Sequence, residues 1–136
     1  LKSTSTSTDR ELIQSAITAS KNAYIPYSNY AVGAALQADD GTVFTGCNIE
    51  SAAYSPTLCA ERTALAKAVS EGYRQFDKIA VVTRNGGSPC GVCRQFLYEF
   101  SPEMTVIIAD LDGNVHHVIP LFDLLPHGFG PSKLDS

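Results

Sequence analysis

Apolar positions alternate between two periods along the chain, and the switches mark its elements. Leu12, Ile13, Ala16, Ile17 and Ala23 recur at helical spacing and predict one buried stripe. Thr8-Asp9-Arg10-Glu11 opens this helix with capping-box spacing, a hydroxyl and a carboxylate satisfying each other's orphan amides, and Pro26 is expected to stop it. The aromatic, turn-rich run Tyr24 to Tyr30 predicts a packed loop. Residues 31–39 and 42–50 read as strands joined at Asp40-Gly41, a hairpin signal because both turn positions tolerate positive φ. Period-two alternation puts Val43, Thr45, Cys47 and Ile49 on one face of the second strand, and Phe44, Gly46, Asn48 and Glu50 on the other.

A second helix is predicted from about 58 to 71, with Leu65, Ala68 and Val69 at helical spacing and Gly72 in the C′ place. Ile79 to Val82 is a short apolar run suited to a central strand, and Asn85-Gly86-Gly87 is a loop. Ser88 followed by Pro89 predicts an N-cap and first position for a third helix carrying Cys93, Phe96, Leu97 and Phe100. Val106 to Ala109 reads as a further buried strand. The turn at Asp112-Gly113-Asn114 is too short for anything but an antiparallel return through Val115 to Ile119. A short helix near Leu121 to Leu125 and a tail bearing Phe129 complete the chain. This order predicts a three-layer α/β/α fold around a mixed five-stranded sheet whose last two strands are antiparallel.

At 136 residues the chain reads as a single domain, long enough to bury roughly two thirds of its unfolded surface. The polar, repetitive residues 1–8 read as a disordered leader without the apolar core of a signal peptide. Four cysteines in such a context read as thiols or ligands rather than disulfides, which favours a reducing, cytoplasmic setting. A net charge of −4 without a basic cluster argues against a nucleic acid polymer as partner, and no apolar run is long enough to span a membrane. A small neutral substrate suits this balance.

Cys90 and Cys93 stand three apart, on one helical face, and can chelate one ion. Alone, such a pair serves redox, structural-zinc or core roles equally well. Upstream, Cys59-Ala60-Glu61 adds a third thiol and a carboxylate, and C-x-E followed by P-C-x-x-C is the pattern of zinc-dependent base deaminases. Three thiols suit a zinc ion with one coordination position left open, beside which Glu61 is expected to shuttle protons. Three thiolates on a divalent cation leave an excess negative charge, for which Arg62 and Arg94 are the candidate compensators. Cys47 is the rival fourth ligand, but strand alternation turns it away from Asn48 and Glu50, and it reads as a small buried residue. His116, His117 and His127 lack ligand spacing to the cysteines and read as ordinary histidines.

The motifs PYSNYAVGAAL, TGCNIESAAY, CAERTALAKAVSEG, SPCGVCRQ, DLLP and FGPSKL together resemble the small homotetrameric cytidine deaminases of nucleoside salvage, over about residues 10–134. The resemblance implies hydrolytic deamination of cytidine and 2′-deoxycytidine, with one Zn2+ per chain on Cys59, Cys90 and Cys93 and with Glu61 as the proton shuttle. It implies that Asn48 and Glu50 bind the ribose hydroxyls, that the Ala60 amide helps hold the pyrimidine, and that Arg62 donates to the thiolates. It further implies active sites shared across a homotetramer, with Phe129 stacking on the base in an adjoining subunit and Tyr54 near the shared wall. Tyr30, on the nucleoside side, stands where the family usually has Phe, and Ser51 replaces a common Asn.

Two other readings compete. Deamination of cytosine within DNA or RNA is disfavoured by the acidic chain and by the tight turn at Asp112-Gly113-Asn114. A zinc-stapled interaction module without catalysis is disfavoured by Asn48 and Glu50 sharing one strand face, an arrangement that suits a polyol-bearing ligand.

Overall fold

The computed structural model describes residues 8–134; residues 1–7 of the expected leader lie outside them. The elements run α1 (Asp9–Ser20), β1 (Gly33–Ala38), β2 (Val43–Cys47), α2 (Ala60–Ser70), β3 (Phe76–Thr83), α3 (Gly91–Tyr98), β4 (Thr105–Asp110), β5 (Val115–Pro120) and α4 (Leu121–Leu124), then a 3-10 turn at Pro131–Lys133. The sheet order is β2-β1-β3-β4-β5, with β3 and β4 parallel and every other pair antiparallel.

Alternation along the central strands sorts two apolar layers. Ala34, Leu36, Ile79, Val81, Val106 and Ile108 face α2 and α3, where they pack on Ala64, Leu65, Ala68 and Leu97. Ala35, Ala80, Val82, Ile107 and Ala109 face the opposite way and meet Leu12, Ile13 and Ala16 of α1. The result is the expected three-layer α/β/α arrangement. Among the described residues no helix is long and apolar enough to cross a membrane.

Local chemistry explains most boundaries. Thr8 caps α1 by the reciprocal pair predicted, its hydroxyl accepting the Glu11 amide at 3.1 Å while the Glu11 carboxylate accepts the Thr8 amide at 2.9 Å. The helix nevertheless ends at Ser20, so Pro26 does not terminate it and Ala23 lies beyond its stripe. In the first hairpin only Gly41 adopts positive φ, at 92°. Asp40 contributes instead through its carboxylate, which accepts the Thr42 amide at 2.9 Å. The loop at 24–30 is less packed than expected, for the Tyr24 and Tyr27 rings are exposed.

Two close approaches position the site. A Cβ on Gly46 would stand 2.5 Å from the Ala60 carbonyl oxygen and 2.6 Å from the Ala64 nitrogen, so only glycine lets α2 lie this near β2. Gly86, at φ +71°, leaves room for the His116 ring, which a Cβ there would meet at 2.6 Å.

That ring is held in turn by Asp110 at the end of β4. The carboxylate of Asp110 pairs with His116 Nε2 at 2.8 Å and accepts the amides of Asp112 and Asn114 at 2.9 and 3.0 Å. His116 first, then these amides, hold the Asp110 pKa down at about 2, below its ordinary 3.8. A depressed carboxylate pKa adds stability that is present above the ordinary value and lost as pH falls towards the folded one. Urea-unfolding midpoints of the wild type and Asp110→Asn, compared from about pH 5 down to about pH 2.5, should therefore differ most at the upper end and converge towards the lower. A gap that is constant across this range would show that the charge of Asp110 is not what holds the hairpin.

Candidate metal centre and active site

The chain begins both α2 and α3 on a cysteine. Cys59 and Cys90 are the N-cap residues, each in extended backbone conformation, and Cys93 lies in the first turn of α3. Ser88-Pro89 therefore does not start the third helix as expected. The Cys90 sulfur itself accepts the Cys93 amide at 3.5 Å, in the place of a hydroxyl cap. Because α2 and α3 pack on the same face of the sheet, their starts meet. Cys59 and Cys90 Sγ are 3.8 Å apart, Cys90 and Cys93 Sγ 3.4 Å, and all three sulfurs lie within 4.8 Å of one another.

The donor set fits zinc. A tetrahedral site with zinc–sulfur bonds of about 2.3 Å separates its sulfurs by about 3.8 Å. Protonation tells the same story. Cys93, then Arg62 and Cys90, hold the Cys59 thiol down at about 5. Contact with Cys59, burial and the charge of Glu61 push the Cys93 thiol up instead. Crowded thiols ionise one at a time unless a cation enters among them. No fourth cysteine joins them: Cys47, expected to be a small buried residue, is half-buried and stands outside the cluster.

Glu61 lies two residues beyond Cys59 and is only 4% exposed. Burial pushes its carboxyl up to about 7, with a further push from the Cys59 thiolate; its own backbone amide and Arg62 act in the opposite direction. The two arginines have separate tasks. Arg62 Nη2 donates to the Thr57 carbonyl at 3.1 Å and lies 3.6 Å from Cys59 Sγ, while its Nε is buried without a partner. Arg94 does not reach the thiols, contrary to its candidacy as compensator. It donates to the Pro89 carbonyl at 2.7 Å, the Leu124 carbonyl at 2.9 Å and Ser88 Oγ at 2.8 Å, tying the Cys90 approach to α4.

Asn48, Glu50, Ala60, Glu61, Cys59, Cys90 and Tyr30 line one cavity of about 210 Å3. Strand β2 ends at Cys47, so Asn48 and Glu50 lie past it, where Ile49 bridges to Tyr24 on one side and Leu58 on the other. The Asn48 side chain accepts the Val32 amide at 2.9 Å and donates to the Tyr30 carbonyl at 2.8 Å. Glu50 accepts the amides of Tyr27 and Ser28 at 3.0 and 3.2 Å and the Ser28 hydroxyl. Ser28 foremost, then the Tyr27 amide, holds the Glu50 pKa low, so it presents a carboxylate.

Sequence patterning missed part of this wall. Val32, Thr57, Thr83, Gly87 and Ser88 also line the cavity, and only Ser88, beside the chelating pair, carried a local signal. Phe129 is absent from the lining and its ring is 54% exposed. The glycines on either side of it lie close to Tyr98 of the same chain: a Cβ would meet that ring at 2.8 Å from Gly128 and 3.1 Å from Gly130. A larger apolar groove of about 760 Å3 runs along α3 between Arg62, Val92, Phe96 and Glu99, without a cluster of reactive groups.

Residues 6–109 match the family described as the cytidine and deoxycytidylate deaminase zinc-binding region. The chain is 48% identical over 127 residues to the cytidine deaminase of Sporosarcina psychrophila, covering 91% of this chain and 93% of that one. It is 50% identical over 125 residues to the cytidine deaminase of Halalkalibacterium halodurans, covering 89% and 94%. The crystal structure of cytidine deaminase from Burkholderia pseudomallei superposes with a TM-score of 0.86 at 47% identity, covering 90% of this chain and all of that one.

Since Cys47 stands apart from the three-thiol cluster, Cys47→Ala should leave metal content per chain unchanged, as read by elemental analysis of the purified protein. Loss of the metal would make Cys47 a ligand and the site a closed, all-cysteine centre.

Proposed function

The chain belongs to the cytidine and deoxycytidylate deaminase family and is a zinc-dependent hydrolytic deaminase, and we propose that its substrates are cytidine and 2′-deoxycytidine, converted to the uridines with release of ammonia. The observation that carries this reading is a buried carboxyl beside three convergent thiols, in a cavity also lined by an amide and a carboxylate suited to a sugar.

Cys59, Cys90 and Cys93 are the residues to hold the zinc. Bound there, zinc supplies Lewis acidity that brings the pKa of water towards neutrality. Glu61 takes a proton from the attacking water and passes it to N3 of the pyrimidine, which makes C4 more electrophilic. After oxygen adds to C4, Glu61 takes the remaining proton from that oxygen and delivers it to the exocyclic nitrogen; the C4 carbonyl forms as the C4–N bond breaks and ammonia leaves. A carboxyl held near 7 both accepts and returns protons at neutral pH. Arg62 offsets the excess thiolate charge from 3.6 Å. The Ala60 amide, in the first turn of α2, holds the pyrimidine. Asn48 and Glu50 take the ribose hydroxyls, and Tyr30 closes the nucleoside side.

An exposed Phe129 and an apolar groove along α3 support a homotetramer with shared sites, in which Phe129 stacks on the base of a neighbouring subunit. Pyrimidine salvage in the cytoplasm is the setting that suits a nucleoside substrate and four reduced cysteines.

Absorbance assays on cytidine, 2′-deoxycytidine and cytosine, with zinc measured in parallel, test the assignment. Both nucleosides should turn over and free cytosine should not; equal turnover of cytosine would remove the role of Asn48 and Glu50. Glu61→Gln should retain zinc and the fold while kcat falls by about 10²–10⁴. A metal-free variant would instead make Glu61 a ligand.

The shared site has its own test. Phe129→Ala should raise KM for cytidine by about ten-fold, the effect of losing one base–aromatic stack. Wild-type specific activity should also fall when the protein is diluted below its assembly concentration. Full activity in a monomer would refute the sharing.

A further inference from the structure

Tyr30 stands between the two halves of the cavity. Its backbone belongs to the Asn48 and Glu50 side: the Tyr30 carbonyl accepts from Asn48 at 2.8 Å, and its amide donates at 3.0 Å to Ser28 Oγ, itself bonded to Glu50. Its ring reaches the other side, where the hydroxyl donates to Asn85 Oδ1 at 2.6 Å. The same oxygen accepts the Thr83 hydroxyl at 3.3 Å, and Thr83 Oγ1 accepts the Gly87 amide at 2.7 Å. Arg84 covers the Tyr30 ring, its guanidinium carbon 4.8 Å from the centroid. Gly87 lies so close to the Tyr30 hydroxyl that a Cβ would approach it to 2.8 Å.

The loop from Arg84 to Gly87 is thus engaged from two directions, by Tyr30 on Arg84, Asn85 and Gly87 and by the His116 ring on Gly86. It then runs through Ser88, a cavity residue, into Cys90. Left to itself, a segment with two adjacent glycines has many conformations to lose on forming a wall. One bond at its middle removes much of that freedom.

Resting on the nucleoside reading above, we propose that Asn85 is a positioning residue: through its bond to the Tyr30 hydroxyl it fixes residues 84–88 as a rigid wall of the substrate cavity, and so sets affinity for the nucleoside rather than the rate of chemistry. Asn85 is not a lining residue and acts through Tyr30 and Gly87. The bond is absent from any chain with a phenyl ring at this position, so the device belongs to this sequence's tyrosine.

The test uses the zinc-loaded protein and the variants Tyr30→Phe, Asn85→Ala, their combination, and Asn85→Asp, which keeps the acceptor oxygen. Each of the first two should raise KM for cytidine by about five-fold, the worth of one net hydrogen bond, with kcat within about two-fold of wild type. The combined variant should be no worse than Asn85→Ala alone, because the bond that Tyr30→Phe removes is already lost there, together with the weaker one from Thr83. Asn85→Asp should restore KM. Independently of turnover, amide hydrogen exchange at residues 84–88 should quicken in Tyr30→Phe and Asn85→Ala, and stay slow in Asn85→Asp. Unchanged exchange, additive effects in the combined variant, or a fall in kcat at constant KM would overturn the proposal. Variant-sensitive exchange in a protein that turns over no cytidine would refute the substrate assignment while leaving the wall-fixing bond established.

Discussion

Three thiols within 4.8 Å of one another cannot all ionise on their own, and much of the site follows from that constraint. Cys59 gives up its proton readily because Cys93 and Arg62 stabilise its thiolate, and Cys93 is then driven to keep its own. A divalent cation resolves the conflict. Burial, together with the same negative charge, raises Glu61 to about 7, where a carboxyl can both take and give a proton. Burial is the larger cause, so the position of Glu61 inside the fold does most to set its chemistry.

The fold supplies that crowding by bringing two helix starts together. Because β3 and β4 are parallel, the chain must cross over between them, and α3 makes this crossing on the face already covered by α2. The approach of α2 depends on Gly46, and that of α3 on Arg94, whose three bonds gather Ser88, Pro89 and Leu124. A cysteine at each N-cap then leaves its sulfur at the helix mouth. Residues two apart within a helix face different ways, but Cys59 and Glu61 escape that rule, since the first is a cap outside the helix proper.

What the sequence disclosed was chemistry encoded at short spacing. The capping box at Thr8, the turns at Gly41 and Gly113, and the Cys90–Cys93 pair each depend on neighbours within a few residues, and all are present. Errors arose where a local rule met a tertiary alternative. Ser88-Pro89 has the form of a helix start, but Arg94 engages Ser88 and Cys90 takes the cap. Pro26 has the form of a helix stop, but α1 ends earlier. Arg94 and Arg62 both stand beside cysteines in sequence, and only packing separates their tasks. Gly128 and Gly130 seat the tail close to Tyr98, a contact that spacing along the chain does not reveal. The bond between Tyr30 and Asn85 spans residues far apart in the chain, and no periodicity could have joined them.

The two ends of the cavity are built on different terms. At the metal end, the helix caps and the buried Glu61 carboxyl are placed by the packing of α2 and α3 on the sheet. At the nucleoside end the polar groups are already engaged with one another: Asn48 on the backbone of Tyr30 and Val32, Glu50 on Tyr27 and Ser28. Such groups are preorganised, since they are oriented before a ligand arrives and keep spare acceptor and donor capacity for it. The aromatic ring proposed to stack on the base, that of Phe129, is not among the residues lining the cavity. Phe129 has a ring of the right kind, yet Gln95 Nε2 donates to its carbonyl at 2.7 Å and the flanking glycines seat the backbone on Tyr98, so the ring projects from the chain instead of folding back over the cavity. A tail held this firmly cannot bring its own ring to its own site without breaking those contacts. Turned from its own cavity and exposed, the ring is free to meet another surface, which supports the proposal that a neighbouring chain's site receives it.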